Sequence, residues 1–257
     1  ELEEELGHKL FERSNRKIKL TPKGELFYAR ALEIVDLFDR TKAEVSAEDE
    51  VVGSINIAAG ETPVIRFLAR AIRRFHDLAP KVQCNVVSGS ELEISSGLRN
   101  GTTDIGIFIG TVDLSDYDYI KLPQKDIWGL LTPINGPLAE KEFITVKDIV
   151  KVPLLCSRQA LNNNEFNGWL GQAAGELNIV GTFNLIYNAA LLAEEGFGHV
   201  LALKDIYTPP ADSNLRHIPL SPKLEADVIV AWPKNRRISK ATEMLLDMLR
   251  EDMKQNR

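Results

Sequence analysis

Ser54-Ile55-Asn56-Ile57-Ala58, the alternating Val82, Cys84 and Val86, and Asp104-Ile105-Gly106-Ile107-Phe108-Ile109 are three strand-like runs, and what lies between them decides the fold. Thr62-Pro63 opens a helix that the spacing carries to about His76. Ser90 with Glu93 makes a capping box for a second helix ending near Arg99. The order is βαβαβ, which predicts a parallel sheet with right-handed crossovers. The third run is almost wholly apolar, as a strand buried on both faces should be.

Downstream the alternation repeats. Strands are expected at 127–131, 153–156, 179–183, 199–203 and 227–231, with helices capped by Thr145 and Asp148, over 164–174, over 185–195 and from Ile238 to about Met253. Two α/β lobes crossed twice by the chain predict a hinge and a cleft.

Upstream the pattern is different. Leu2 and Leu6 followed by Gly7 read as the last turns of a helix, expected to begin before Glu1. Leu10-Phe11 and Ile18-Lys19-Leu20 flank the polar Ser14-Asn15-Arg16-Lys17, which fits a two-stranded ribbon with a basic tip. Thr21 and Pro22 then open a long helix with Phe27, Ala31, Ile34, Val35, Phe38, Lys42 and Val45 on one stripe. A stripe with nothing adjacent in sequence to cover it suits pairing with a second copy. Residues 46–50 are small and acidic, and read as a linker.

The 257 residues are 44% apolar and 26% charged, which excludes wholesale disorder, and the formal charge of −6 excludes a generally basic carrier of nucleic acid. The charge is uneven. From His8 to Arg30 seven cations face Glu12 and Glu25, so that stretch is +5 and the remainder −11. One end is thus suited to a polyanion and the rest to something else. No apolar run approaches the ~18 residues of a membrane-spanning helix. The acidic Glu1-Leu2-Glu3-Glu4-Glu5 does not read as a secretory signal, and Cys84 and Cys156 form no motif, so a reducing cytoplasm is expected.

Leu10-Phe11-Glu12-Arg13, Arg16, Leu20-Thr21 and Gly24, in that spacing, resemble the LysR-type transcriptional regulators. Gly101, Asp104 and Gly196-Phe197-Gly198 stand where that family commonly has similar residues. The resemblance implies an α/β protein in three parts. Residues 1–24 would be the end of the recognition helix and the wing of a winged helix-turn-helix, here incomplete, and 25–50 a linker and dimerisation helix. Residues 51–257 would be a two-lobed, periplasmic-binding-protein-like effector domain, with lobe I at about 51–118 and 221–257 and lobe II at about 119–220. It also implies double-stranded DNA as a partner, specific binding requiring the helices upstream. A small-molecule effector between the lobes and a homodimer or homotetramer are implied as well.

Read from composition alone, Arg13, Arg16, Lys17 and Lys19 are either phosphate contacts or ordinary surface cations; the resemblance implies DNA. In open α/β sheets ligands sit at strand carboxyl ends near helix N-termini. Glu61 and Thr62, then Ser88, Gly89 and Ser90, then the stretch from Ser157 to Asn164 occupy such places. Thr62 and Ser90 are helix caps, and their recurrence at successive strand ends points to a small-molecule pocket. Arg158 is either an anion partner or a surface arginine, Asn184 and Asn188 either face the cleft or cap a helix, and Glu61 either repels carboxylates and favours a cationic or polyhydroxylated effector or points to solvent. His8, His76, His199 and His217 show no metal-ligand spacing, and no nucleophile elbow or phosphate-binding glycine loop occurs, so no catalytic residue, metal or cofactor is expected. Cys84 reads as core, and Cys156 as core or a redox group near the cleft. A solute-binding receptor shares the two lobes, but would carry an export signal and need neither the basic ribbon nor the long helix.

Overall fold

The computed structural model describes residues 1–14, 17–46, 50–210 and 213–255. Arg16, at the expected ribbon tip, lies outside the described residues, as do 47–49 of the expected linker.

Helix α1 (Leu2–Glu5) ends where Gly7, at φ +67°, turns the chain so that Gly7 N–H donates to Glu4 O and His8 N–H to Glu3 O. The Glu3 carboxylate accepts from Leu10 N at 2.6 Å and Phe11 N at 3.0 Å, tying α1 to the ribbon. The ribbon is β1 (Phe11–Ser14) paired antiparallel with β2 (Lys17–Leu20). Helix α2 (Pro22–Ser46) begins at a cap in which Thr21 Oγ1 accepts from Gly24 N at 2.9 Å and donates to Lys9 O at 2.8 Å. Gly24 is required there, since a Cβ would sit 2.0 Å from the Leu10 carbonyl oxygen. At 1.5 Å per residue α2 is a rod of roughly 37 Å. Its stripe is uncovered: Ile34, Phe38 and Val45 are 67%, 65% and 81% exposed.

Lobe I follows: β3 (Gly53–Ala59), a 3-10 turn (Pro63–Ile65), α3 (Arg66–Leu78), β4 (Val82–Ser88), α4 (Glu91–Asn100) and β5 (Ile105–Ile109). The three strands are parallel in the order β4-β3-β5. Ile55, Ile57, Ile105 and Ile107 bury one face against Phe67, Leu68 and Phe75 of α3, while Phe108 packs on the other face against Ile94 and Leu98 of α4.

The 17-residue β6 (Tyr117–Pro133) carries the chain into lobe II. Only 127–131 was expected as strand, because Pro123-Gln124-Lys125 interrupts the apolar alternation. That interruption coincides with a register irregularity opposite Asp227 and Ile229, and the strand resumes beyond it. Lobe II contains α5 (Val146–Ile149), β7 (Leu154–Ser157), α6 (Arg158–Asn162), α7 (Asn167–Leu170), a 3-10 turn (Gly171–Gly175), β8 (Ile179–Phe183), α8 (Ile186–Glu194), β9 (His199–Leu203) and β10 (Leu215–Pro219). The helix expected over 164–174 is instead broken into short turns, with Asn164 at φ +55° and Gly171 at φ +56°. Strand β11 (Glu225–Pro233) brings the chain back, and α9 (Lys240–Gln255) packs Leu245, Leu246 and Leu249 into lobe I.

The strands run β4-β3-β5-β11-β6-β9-β7-β8, with β10 pairing β6. Adjacent strands β6 and β11 are the two crossings between lobes, and both parallel sets turn their carboxyl ends toward the space between them.

Candidate functional site

An interlobe cavity of about 480 Å³ opens at those strand ends. Gly60 and Glu61 reach it from the end of β3, Ser88, Gly89 and Ser90 from β4, Ser157 and Arg158 from β7, and Phe183 and Asn184 from β8. Trp128 of β6 and Leu201 to Leu203 of β9 form its apolar floor, with Ile109 beside them. This volume fits a small metabolite.

The structure therefore gathers Glu61, Ser88, Gly89, Ser90 and Arg158 around one cavity, and leaves Thr62 and Asn188 out of its wall. Thr62 is buried beneath it: its hydroxyl donates to Asp126 Oδ2 at 2.5 Å and accepts from Val64 N at 3.0 Å. Asn188 sits at an exposed position of α8. In the ribbon, Lys19 is exposed and opposite Glu12; of Arg13 and Lys17 only the backbone is described.

Four residues join the lobes across the cavity mouth: Gln159 and Asn163, from the stretch expected at a strand end, and Glu91 and Glu165, which the sequence did not single out. Asn163 Nδ2 donates to Glu91 Oε2 at 2.5 Å and to Thr111 O at 3.2 Å. Gln159 Oε1 accepts from Glu91 N at 3.1 Å, and Glu165 Oε1 from Thr111 N at 2.6 Å. These partners lie 52 to 72 residues apart in the chain, so no local pattern announces them.

The electrostatics follow from burial. Glu165 is pushed above the usual carboxylate range by desolvation, with the Thr111 amide pulling it down and the Glu91 and Asp227 charges adding to the rise. Glu93 is held low by the Ser90 amide and hydroxyl. Burial pushes the Cys156 thiol to about 12; it is fully enclosed, which suits the packing reading and leaves no reactive thiolate. Trp128 is buried with its ring edge-on to Phe166 at 4.8 Å, and its Nε1 has no hydrogen-bond partner among the described residues. Among the described residues no His, Cys, Asp and Glu cluster is arranged to hold a metal.

Asp126 is pushed by burial to about 6, against the pull of the Thr62 hydroxyl. The native state thus binds more protons than the unfolded chain between about pH 4 and pH 6. The stabilisation from this group is complete below the ordinary aspartate value of 3.8 and is lost as pH rises through about 6. Asp126→Asn keeps an acceptor for Thr62 and removes the burial cost of the charge. In thermal denaturation it is expected to be more stable than the parent by about 1–3 kcal/mol near pH 7.5, and equal to it near pH 4. An equal difference at both pH values would contradict this.

Comparison with known proteins gives consistent matches. The family described as the LysR substrate binding domain matches residues 48–254. The transcriptional regulator CysB of Burkholderia cenocepacia is 30% identical over 162 residues, which is 60% of this chain and 50% of that protein. The uncharacterised regulator YvbU of Bacillus subtilis is 24% identical over 253 residues, covering 97% of this chain and 85% of that protein. The chain thus spans about half the length of the first relative and most of the second. Among solved structures, the LysR family regulator CbnR superposes with a TM-score of 0.75 at 20% identity, over 98% of this chain and 86% of that one, a likeness of fold. No helix among the described residues is long and apolar enough to cross a membrane.

Proposed function

We infer the function from one premise: the chain belongs to the LysR family, whose substrate-binding domain occupies residues 48–254. On that basis the protein is a DNA-binding transcriptional regulator acting in the cytoplasm. The basic ribbon at 1–24 contacts the duplex as a wing, α2 pairs two subunits, and the lobes bind a small effector. Arg13, Arg16, Lys17 and Lys19 are assigned to phosphates. Glu61, Ser88, Gly89, Ser90 and Arg158 are assigned to the effector, with Thr62 positioning the hinge beneath them. A homodimer, or a tetramer built from two, presents paired DNA-binding heads. The cavity is assigned to binding rather than catalysis, as the family relatives are named as transcriptional regulators.

The observation that carries this reading is physical continuity. The ribbon is anchored to the first turn of α2 at Thr21 and Gly24, so a reorientation of α2 moves the ribbon with it. An effector that prefers one lobe arrangement then shifts the population of DNA-bound geometries, at a typical coupling of ~1–3 kcal/mol. The solute-receptor alternative gives no role to either the ribbon or the rod.

The test is footprinting of genomic fragments captured by the natural full-length protein. The expected result is protection of two related half-sites about one helical turn, or a multiple of it, apart. Failure to protect any duplex at low salt would overturn the proposal.

A further inference from the structure

The polar lining of the interlobe cavity is one-sided. Its ionisable side chains are the carboxylates of Glu61, Glu91, Glu93 and Glu165 against the single guanidinium of Arg158. Helix N-termini at strand ends ordinarily attract anions through their free amides. Here part of that donor set is already engaged by acceptors from the protein itself, although the N-terminus of α8 carries no side-chain cap. Glu93 Oε2 accepts from Ser90 N at 2.6 Å, Gln159 Oε1 from Glu91 N at 3.1 Å, and Ser157 Oγ from Ala160 N at 3.5 Å. Glu165 Oε1 likewise takes Thr111 N. At the start of α4 an incoming carboxylate would meet the Glu91 and Glu93 carboxylates beside the amides it needs. Glu61, half-buried at the end of β3, makes no hydrogen bond or ion pair with any described residue, so a negative charge stands unmatched inside the cavity. Beside these groups the surface is hydrocarbon and aromatic: Ile109, Trp128, Leu201 and Leu203.

We propose that the effector of this cavity is a small organic cation, an ammonium or guanidinium group on an aliphatic chain. Its cationic head pairs with Glu61 and the carboxylates at the mouth, and its chain lies on the Trp128 and Leu203 floor. This rests on the reading of the cavity as the effector site. Arg158, exposed at the rim with no partner among the described residues, adds a place for a carboxylate. Both a plain amine and a basic amino acid therefore share the required chemistry.

The test is thermal shift and calorimetric titration of this chain at physiological salt, where diffuse surface attraction is screened. Agmatine and cadaverine supply the cation alone, arginine and lysine the cation with a carboxylate, and succinate and glutarate the anion alone. At least one cationic probe is expected to raise the melting temperature, and Glu61→Gln to weaken its binding about tenfold or more. Glu176→Gln, the same charge change at an exposed turn, is expected to leave binding unchanged. Preference for agmatine over arginine would identify a plain amine, and the reverse a basic amino acid held also by Arg158. If the dicarboxylates bind instead and Arg158→Ala abolishes it, the charge inference fails and the cavity stands as the site. If a cation binds the parent and Glu61→Gln equally, the ligand lies elsewhere and the effector-site reading fails with it. No response to any cationic probe overturns the charge inference.

Discussion

Ile34→Glu combined with Phe38→Glu is expected to convert a dimer at micromolar concentration into a monomer. The seam of α2 runs through Phe27, Ala31, Ile34, Phe38, Thr41 and Val45, at alternating steps of four and three. That repeat is what two helices need to remain in contact along their length. Fully burying side chains of this size gives about 1.5–3 kcal/mol each, and two subunits contribute both members of every contact. The double substitution removes that burial and sets four carboxylates against one another. A loss of at least ~4 kcal/mol, or a thousandfold in dissociation constant, follows. Thr41 marks where the seam is already weak, since its hydroxyl donates back to Leu37 O at 2.7 Å. Sedimentation equilibrium reads the outcome. The lobes should keep their melting temperature, because their cores are built from residues beyond α2. A variant that remains dimeric would place the subunit contact on the lobes alone.

What the sequence disclosed was mostly local chemistry. Thr62 before Pro63, Ser90 with Glu93, and Thr145 with Asp148 are caps written within four residues, and each forms the expected bonds. The alternation of Val82, Cys84 and Val86 marked a strand, which the fold places at a sheet edge with Val86 53% exposed. Long-range bonds were hidden. Thr62 looked available to a ligand because its hydroxyl partner, Asp126, lies 64 residues away. Ser157 to Asn164 looked like an open strand end, yet Ser157 caps α6 and that short helix carries Gln159 to the mouth. Glu91, Asn163 and Glu165 have the composition of solvated helix surface; only the meeting of two lobes gives them partners. Strand β6 was half lost for a related reason, since a proline and two polar residues interrupt the period just where the strand passes between lobes.

In the proposed function a charged prong on a dimeric rod meets DNA while the lobes do the sensing. The most direct measurement is the salt dependence of duplex binding by the natural full-length protein, compared with a variant carrying alanine at Arg13, Arg16, Lys17 and Lys19. Each cation that neutralises a phosphate contributes about 0.9 to the slope of log affinity against log salt. With four such positions in each of two subunits, the slope should flatten by several units and low-salt affinity should fall at least ~100-fold. Lys19, opposite Glu12 in the ribbon, should contribute less than the other three. The loss should be equal on every duplex, since phosphates carry no sequence. An unchanged slope and affinity would contradict the account, leaving the ribbon as ordinary solvated surface.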